Sequence, residues 1–507
     1  MIRIIDCGSQ LTQNIARRIR EHGVFSTIVP FNSSLKAIME GNPDGIIISG
    51  GQFSVYGKGA PLYAREILDL KIPILGICYG QQSIAFHLGG KVESTPQREY
   101  GQNKIILQKP SRLFNGLPQE SKVWMSHGDI VSQVPPDFEI TAISEGKHIA
   151  AMQGSRERAN IYAVQFHPEV DHTEYGRNIL GNFLEICNAK KDWSTENFVP
   201  KIIANIRETV GNKKVIGGMS GGVDSSTASV LLAKAIGDNY TPILINNGLL
   251  RKGEAEEVLR TLTPYVKSIK YIDATDRFLK KLEGISSPDE KRKIIGKEFI
   301  KVFQEAASGI EAEYLMQGTL YPDVIESVPV YGCSSKIKLH HNVGGLPEKM
   351  GLKLIEPFRD LFKDEVRQIG EKLGLPKELV WRHPFPGPGL AVRIIGDVTK
   401  EKLDILREAD TICVQELKAR GIYYNISQAF AVLTNASSVG VMGDEGNYQY
   451  VIALRAVTTN DFMTADWYDF KKEDLGAIAT RIINEVKGVN RIVYDITQKP
   501  PATIEWE

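Results

Sequence analysis

Seven consecutive residues, Ser220-Gly221-Gly222-Val223-Asp224-Ser225-Ser226, carry the clearest chemistry in this 507-residue sequence. They follow an apolar run, Lys214–Met219, and lead into a helical stretch, Ser226–Ile236. A strand that ends in glycines and hydroxyls before entering a helix makes an anion cradle. Glycines let backbone N–H groups approach oxygen, hydroxyls add donors, and the helix N-terminus adds partial positive charge. The loop is expected to hold phosphate. It is not a Walker loop, because no G-x-x-x-x-G-K-[ST] occurs in the chain.

A second reactive pattern is Gly76-Ile77-Cys78-Tyr79-Gly80-Gln81-Gln82, again between an apolar strand and a helix. G-x-C-x-G is the thiol form of a nucleophile elbow, in which small neighbours permit a tight, exposed turn. The start of a helix favours the thiolate. Phe166-His167-Pro168-Glu169-Val170 supplies what the thiol needs. With side chains at i and i+2 on one side of an extended segment, His167 serves as general base and Glu169 orients it.

These residues require a scaffold of strands that end where the chemistry begins. The first ~190 residues alternate short β-rich runs with helical patterns. Strands are predicted at Ile2–Asp6, Ser26–Val29, Gly45–Ser49, Ile72–Ile77 and Ala163–Phe166, and helices at Gln10–Glu21, Gln81–Leu88 and Arg177–Asn188. A second α/β segment has predicted strands at Val215–Gly218, Pro242–Asn246, Ser268–Ile272 and Tyr314–Gln317. His383-Pro384-Phe385-Pro386-Gly387-Pro388-Gly389 can hold neither helix nor interior strand and reads as a hinge or stiff binding loop. Beyond it, strand runs Tyr448–Arg455 and Arg491–Ile496 and a helix near Ala477–Val486 read as α+β. The expected fold class is therefore α/β: two successive mostly parallel-sheet α/β domains, 1–190 and 191–383, then a smaller α+β domain, 384–507.

Lys plus Arg and Asp plus Glu both number 61, so no nucleic-acid footprint or anionic-membrane surface is implied. No apolar run has membrane-spanning length, and the N-terminus reads as a strand rather than a signal peptide. The widely spaced Cys7, Cys78, Cys187, Cys333 and Cys413 form neither a disulfide framework nor a metal pattern, which places the chain in a reducing, cytoplasmic setting. Cys7 and Cys187 read as core thiols.

The loop at 220–226 resembles the pyrophosphate loop of ATP pyrophosphatases, which cleave ATP to AMP and pyrophosphate while adenylylating a substrate. Residues 1 to about 188 resemble the class I glutamine amidotransferases, which release ammonia from glutamine through a cysteinyl thioester. Ser49-Gly50-Gly51 matches that family's oxyanion loop, although Gln52 stands where the family has proline. The resemblance implies oxyanion donors at the N–H groups of Gly51 and Tyr79, and a glutamine-proximal role for Gln82. Ser126-His127-Gly128-Asp129 resembles a glutamine-contacting segment, and His127 could equally belong to a structural loop.

Long segments beyond residue 288 resemble the GMP synthase family: Lys291–Gly296, Gln317–Ser327, His340–Pro347, Arg382–Leu390 and Lys499–Glu507. The likeness implies that XMP, ATP and glutamine give GMP, AMP, pyrophosphate and glutamate. It implies Mg2+ accompanying ATP, with Asp224 as its carboxylate; the plainer alternative for Asp224 is a helix N-terminal charge. It further implies XMP contacts from Arg292, Lys338, Pro384, Gln428, Lys499 and Glu505, and a homodimer formed through the C-terminal domain. His340 and His341 point to opposite sides of an extended chain and read as loop structure rather than metal ligands. Two alternatives stand beside this reading. One is an NAD-synthase-like amidase, which leaves the Pro-Gly segment and tail unexplained; the other is a non-catalytic nucleotide sensor.

Overall fold

Short runs of Ile, Val and Leu bounded by Gly, Pro and Asp become fully buried strands. The structure, a computed structural model, describes residues 1–327, 351–442, 445–459, 462 and 464–507. Lys338, Cys333 and the His340–His341 pair lie outside the described residues. The chain divides into two compact units, with the division after Phe198.

The first unit contains β1 (Ile2–Asp6), β2 (Ser26–Pro30), β3 (Gly45–Ile48), β4 (Ile74–Ile77), β5 (Lys91–Leu107), β6 (Glu120–Gln133), β7 (Phe138–Ser144), β8 (Ile149–Gly154) and β9 (Ile161–Val164). They form one sheet in the order β2-β1-β3-β4-β9-β8-β7-β5-β6. Pairings from β2 through β9 are parallel, and those from β9 through β6 are antiparallel. The parallel half matches the predicted strands within a few residues. The antiparallel extension from residue 91 to 154 was not foreseen in detail. Its longer strands are half-exposed: β6 alternates buried and exposed positions, so it lacks the continuous apolar run that marks the parallel strands.

The second unit opens with β10 (Lys214–Gly218), β11 (Tyr240–Asn246), β12 (Lys270–Asp273), β13 (Ala312–Met316) and β14 (Lys353–Ile355). All pairings in this sheet are parallel, in the order β12-β11-β10-β13-β14. The chain runs outward one way from β10 through β11 and β12, then returns to the other side at β13. Such a reversal opens a crevice at the carboxyl ends of the two central strands.

A smaller sheet follows, built from β15 (Gln428–Met442), β16 (Glu445–Thr458), β17 (Asp466–Trp467) and β18 (Val489–Tyr494). β16 pairs antiparallel with β15 and β17 and parallel with β18. Helices Lys400–Ala419 and Lys472–Glu485 pack on it. One buried apolar cluster joins Ile216 and Phe303 of the parallel-sheet region to Leu406, Ile452 and Ile482 of this region. A segment of ~120 residues has limited core of its own, and sharing one compensates.

The Pro-Gly loop between these regions is pinned at both ends. His383 stacks on Tyr423 with ring centroids 3.9 Å apart. Its Nε2–H donates to the Tyr423 carbonyl at 2.9 Å, and its Nδ1 accepts the Ala429 N–H at 3.1 Å. Burial pushes its pKa down to about 4, so this neutral tautomer persists at physiological pH. At the other end, Gly389 has φ +64°, and a Cβ there would lie 2.4 Å from the Leu249 carbonyl. Only glycine fits that approach.

Candidate active site

Cys78 is the first residue after β4 and His167 follows β9, two strands that lie side by side. The Cys78 N–H donates to the Val164 carbonyl at 2.8 Å, locking the elbow to the neighbouring strand. Cys78 has φ +53°, a strained conformation for a side-chain-bearing residue, and caps helix Tyr79–His87. The flanking glycines are sterically required. A Cβ on Gly76 would sit 2.7 Å from Gly80 backbone, and one on Gly80 would sit 2.4 Å from the Ile48 carbonyl. The thiol is buried, with Sγ 3.7 Å from the Ser126 carbonyl it donates to.

His167 Nδ1 donates to Glu169 Oε1 at 2.7 Å, both groups being buried. The segment is a bend and turn rather than the extended strand expected, yet it brings these side chains together. Burial alone opposes the imidazolium. The Glu169 carboxylate and the hydrogen-bonded Cys78 outweigh it and hold the His167 pKa well above its ordinary value. This raised value has a stability consequence. Stabilisation from the charge is complete below the unfolded pKa of about 6.5 and is lost as pH rises through the higher folded value. Glu169→Gln should therefore move the His167 titration, followed by imidazole NMR, toward lower pH. It should also lessen the fall in unfolding free energy from neutral to alkaline pH. An unmoved titration would mean that Glu169 does not sustain the charge.

The Ser49–Gly51 loop lies against the elbow. The Cys7 N–H donates to Ser49 Oγ at 2.9 Å, and a Cβ on Gly50 would approach His167 Cε1 to 3.1 Å. A Cβ on Gly51 would sit 2.6 Å from the Cys7 carbonyl and 3.4 Å from the Tyr79 ring. Gly51 and Tyr79 are thus brought together beside the thiol, and Gln52 does not disturb that approach. Gln82 is buried and gives its amide N–H to the Asp129 carbonyl at 2.8 Å. His127 lies on β6 rather than in a loop, with Nε2 3.2 Å from Glu99 Oε2 and Nδ1 3.1 Å from the Asp129 carbonyl. The remaining described cysteines are core thiols: burial pushes Cys7 and Cys187 up, and Cys413 up to about 12.

In the second unit the 220–226 loop follows β10, at the point where strand order reverses. Helix Val223–Ile236 begins inside it, with Asp224 in the first turn. Gly221 has φ +75°. The Ser220 and Ser225 hydroxyls lie 3.0 Å apart, and Ser220 Oγ accepts the Gly222 N–H at 3.3 Å. Gly318, beyond β13, approaches closely enough that a Cβ would be 3.4 Å from Ser225 N. Asp224 Oδ2 pairs with Lys363 Nζ at 2.6 Å, while Oδ1 is buried without a hydrogen-bond partner among the described residues. Arg382 donates to the Gly221 carbonyl at 2.7 Å and pairs with Glu254. Lys363 was not anticipated, because nothing local distinguishes it from a solvated basic side chain. Arg382 fell inside a matched segment without an assigned role.

Three of the expected XMP residues converge. Gln428 Nε2 donates to Glu505 Oε1 at 2.7 Å and lies 3.5 Å from the Pro384 carbonyl. Arg292 instead reaches the backbone carbonyl of Glu507, and Lys499 Nζ donates to the Phe462 carbonyl at 2.6 Å.

Comparison with known proteins finds three family-level matches along the chain. The family model for glutamine amidotransferase class-I matches residues 3–187, that for NAD synthase matches 196–284, and that for GMP synthase C terminal domain matches 415–506. A glutamine-hydrolysing GMP synthase from Carboxydothermus hydrogenoformans is 57% identical, the alignment covering 99% of each chain. Relatives of the same name from Clostridium tetani and Aquifex aeolicus are 53% and 54% identical, covering 100% of this chain and 99% of theirs. Identity at this level over the full length leaves no segment unaccounted for: the chain belongs to the glutamine-hydrolysing GMP synthase family.

Proposed function

We propose that this chain makes GMP from XMP, with ATP as activator and glutamine as nitrogen donor, as a ligase that forms a C–N bond. The observation that carries the reading is one chain holding a Cys78–His167–Glu169 relay and a phosphate loop at a sheet switch point, each at the carboxyl ends of parallel strands. The Cys78 thiolate attacks the side-chain carbonyl of glutamine, and the N–H groups of Gly51 and Tyr79 receive the oxyanion. His167 gives a proton to departing ammonia, then takes one from the water that hydrolyses the thioester to glutamate.

In the second unit, Ser220–Ser226 binds the β- and γ-phosphates. The purine 2-oxygen attacks the α-phosphorus, pyrophosphate leaves, and ammonia then displaces AMP at C2. Mg2+ would sit on Asp224, whose buried Oδ1, unpartnered among the described residues, fits a cation; when bound, it would neutralise clustered phosphate charge. Arg292, Lys338, Pro384, Gln428, Lys499 and Glu505 are assigned to XMP. Residues 1–190, 191–383 and 384–507 are the functional divisions: glutaminase, ATP pyrophosphatase, and acceptor and dimer region.

A homodimer formed through 384–507 belongs to the same proposal. Val439 and Tyr448, opposed on β15 and β16, are both exposed and would be covered by a second copy. A cytoplasmic setting fits the four free, buried thiols among the described residues.

Product analysis tests the reading. With XMP, MgATP and glutamine, mass spectrometry should find GMP, AMP, pyrophosphate and glutamate in equal amounts. Amidation of deamido-NAD in place of XMP, or release of ADP and inorganic phosphate, would overturn it.

A further inference from the structure

Pro384, Gln428 and Glu505 meet around a side chain that no motif singled out. Arg393 is completely buried, in the single turn Gly389–Arg393 that ends the Pro-Gly loop. Its guanidinium forks onto Glu505, with Nε 3.0 Å from Oε2 and Nη2 2.8 Å from Oε1. That same Oε1 accepts from Gln428, whose amide nitrogen also faces the Pro384 carbonyl. The guanidinium lies 4.0 Å from the Phe430 ring centroid and 5.2 Å from that of Phe385 in the loop itself. Asp410, also buried, stands behind it, 3.9 Å from Nη1, and faces Arg251 Nε at 2.8 Å.

Accessibility runs one way across this pair: the Arg393 side chain is 0% exposed and that of Glu505 is 18%. The cation lies beneath and the carboxylate lies on the open side. A buried guanidinium left unpaired is strongly unfavourable, so Arg393 obliges Glu505 to stay at this spot. Its planar fork also fixes the direction of both carboxylate oxygens, which a lysine ammonium cannot do.

We propose that Arg393 is a positioning residue for the acceptor nucleotide. It touches no ligand, but it sets the Glu505 carboxylate and, through it, the Gln428 amide that line the XMP pocket. This inference rests on the assignment of XMP to Gln428 and Glu505.

Arg393→Lys in the full-length enzyme, assayed with ammonia, tests it. The KM for XMP should rise about tenfold or more, the scale of a lost charge-assisted hydrogen bond, with kcat at saturating XMP and the KM for ATP within about threefold. A purely structural role would instead lower kcat, raise the ATP KM and depress the melting midpoint together, and that pattern overturns the proposal. Calorimetric titration with XMP separates the two layers of argument. If wild type binds no XMP, the acceptor assignment fails; if wild type binds and the folded variant binds equally well, the role of Arg393 fails. If Arg393→Lys does not fold, the double variant Arg393→Leu/Glu505→Gln, which removes the buried charge together with its partner, decides the matter: its KM for XMP should match that of Glu505→Gln alone, and a further rise of about threefold or more overturns the proposal.

Discussion

Cys78→Ala should abolish glutamine-dependent GMP formation, by about 10⁴-fold or more, while ammonia-dependent formation stays within about twofold of wild type. In the proposed reaction the thiol supplies the bond-forming electron pair, and its neighbours cannot replace it. The Ser126 carbonyl only accepts a hydrogen bond, and the His167 ring is engaged through Nδ1 by Glu169. The substitution is also small in its structural effect. The elbow is held by the Cys78 backbone N–H and by the close approach of Gly76 and Gly80, none of which involves sulfur. Parallel initial-rate assays with glutamine and with an ammonium salt measure the split. Loss of both activities would show that the nucleophile's unit and the nucleotide unit are not chemically separable.

Asp224→Asn should have the opposite signature and suppress synthesis from either nitrogen source by about 10³-fold, the scale of lost charge stabilisation at a metal-assisted phosphoryl centre. Two readings of Asp224 compete, and their magnitudes separate them. As a carboxylate favouring a helix N-terminus it would contribute about 0.5 kcal/mol, a factor of two or three. As a cation ligand it is indispensable. The buried Oδ1, without a hydrogen-bond partner among the described residues, favours the second, since such an oxygen is costly unless something occupies it. Lys363, on the other oxygen, loses a charged partner in the variant, so thermal stability should be measured alongside turnover. Ammonia-dependent turnover near wild type would refute the metal role.

How much of this was legible beforehand varies with the kind of interaction. The cysteine elbow and the phosphate loop were readable because each is a local backbone device. Gly76, Gly80 and Gly221 stand where a Cβ would meet backbone or a packed side chain, and that demand is written at fixed spacing. The parallel strands were readable because burial on both faces leaves unbroken apolar runs, as in Ile46–Ile48 and Ile74–Ile77. By contrast, β5 and β6 read poorly, since they are half-exposed and β6 spends alternate positions on exposed residues. The pairing of His127 with Glu99 belongs to that poorly read half. It depends on the register between β5 and β6, which aligns His127 with Glu99 across the hairpin.

The amino-acid sequence alone determined the reactive set proposed for this protein: a thiol with its base and orienting acid, a phosphate cradle, and the tail and loop assigned to the acceptor. These depend on residue types held within a few positions of one another. Tertiary structure decided which charges meet. Lys363 finds Asp224 across 139 residues, and Arg393 finds Glu505 across 112. No spacing rule spans such distances, because they are set by how sheets and helices pack. A lone arginine or lysine looks the same in sequence whether it ends in solvent or beneath a carboxylate it must neutralise.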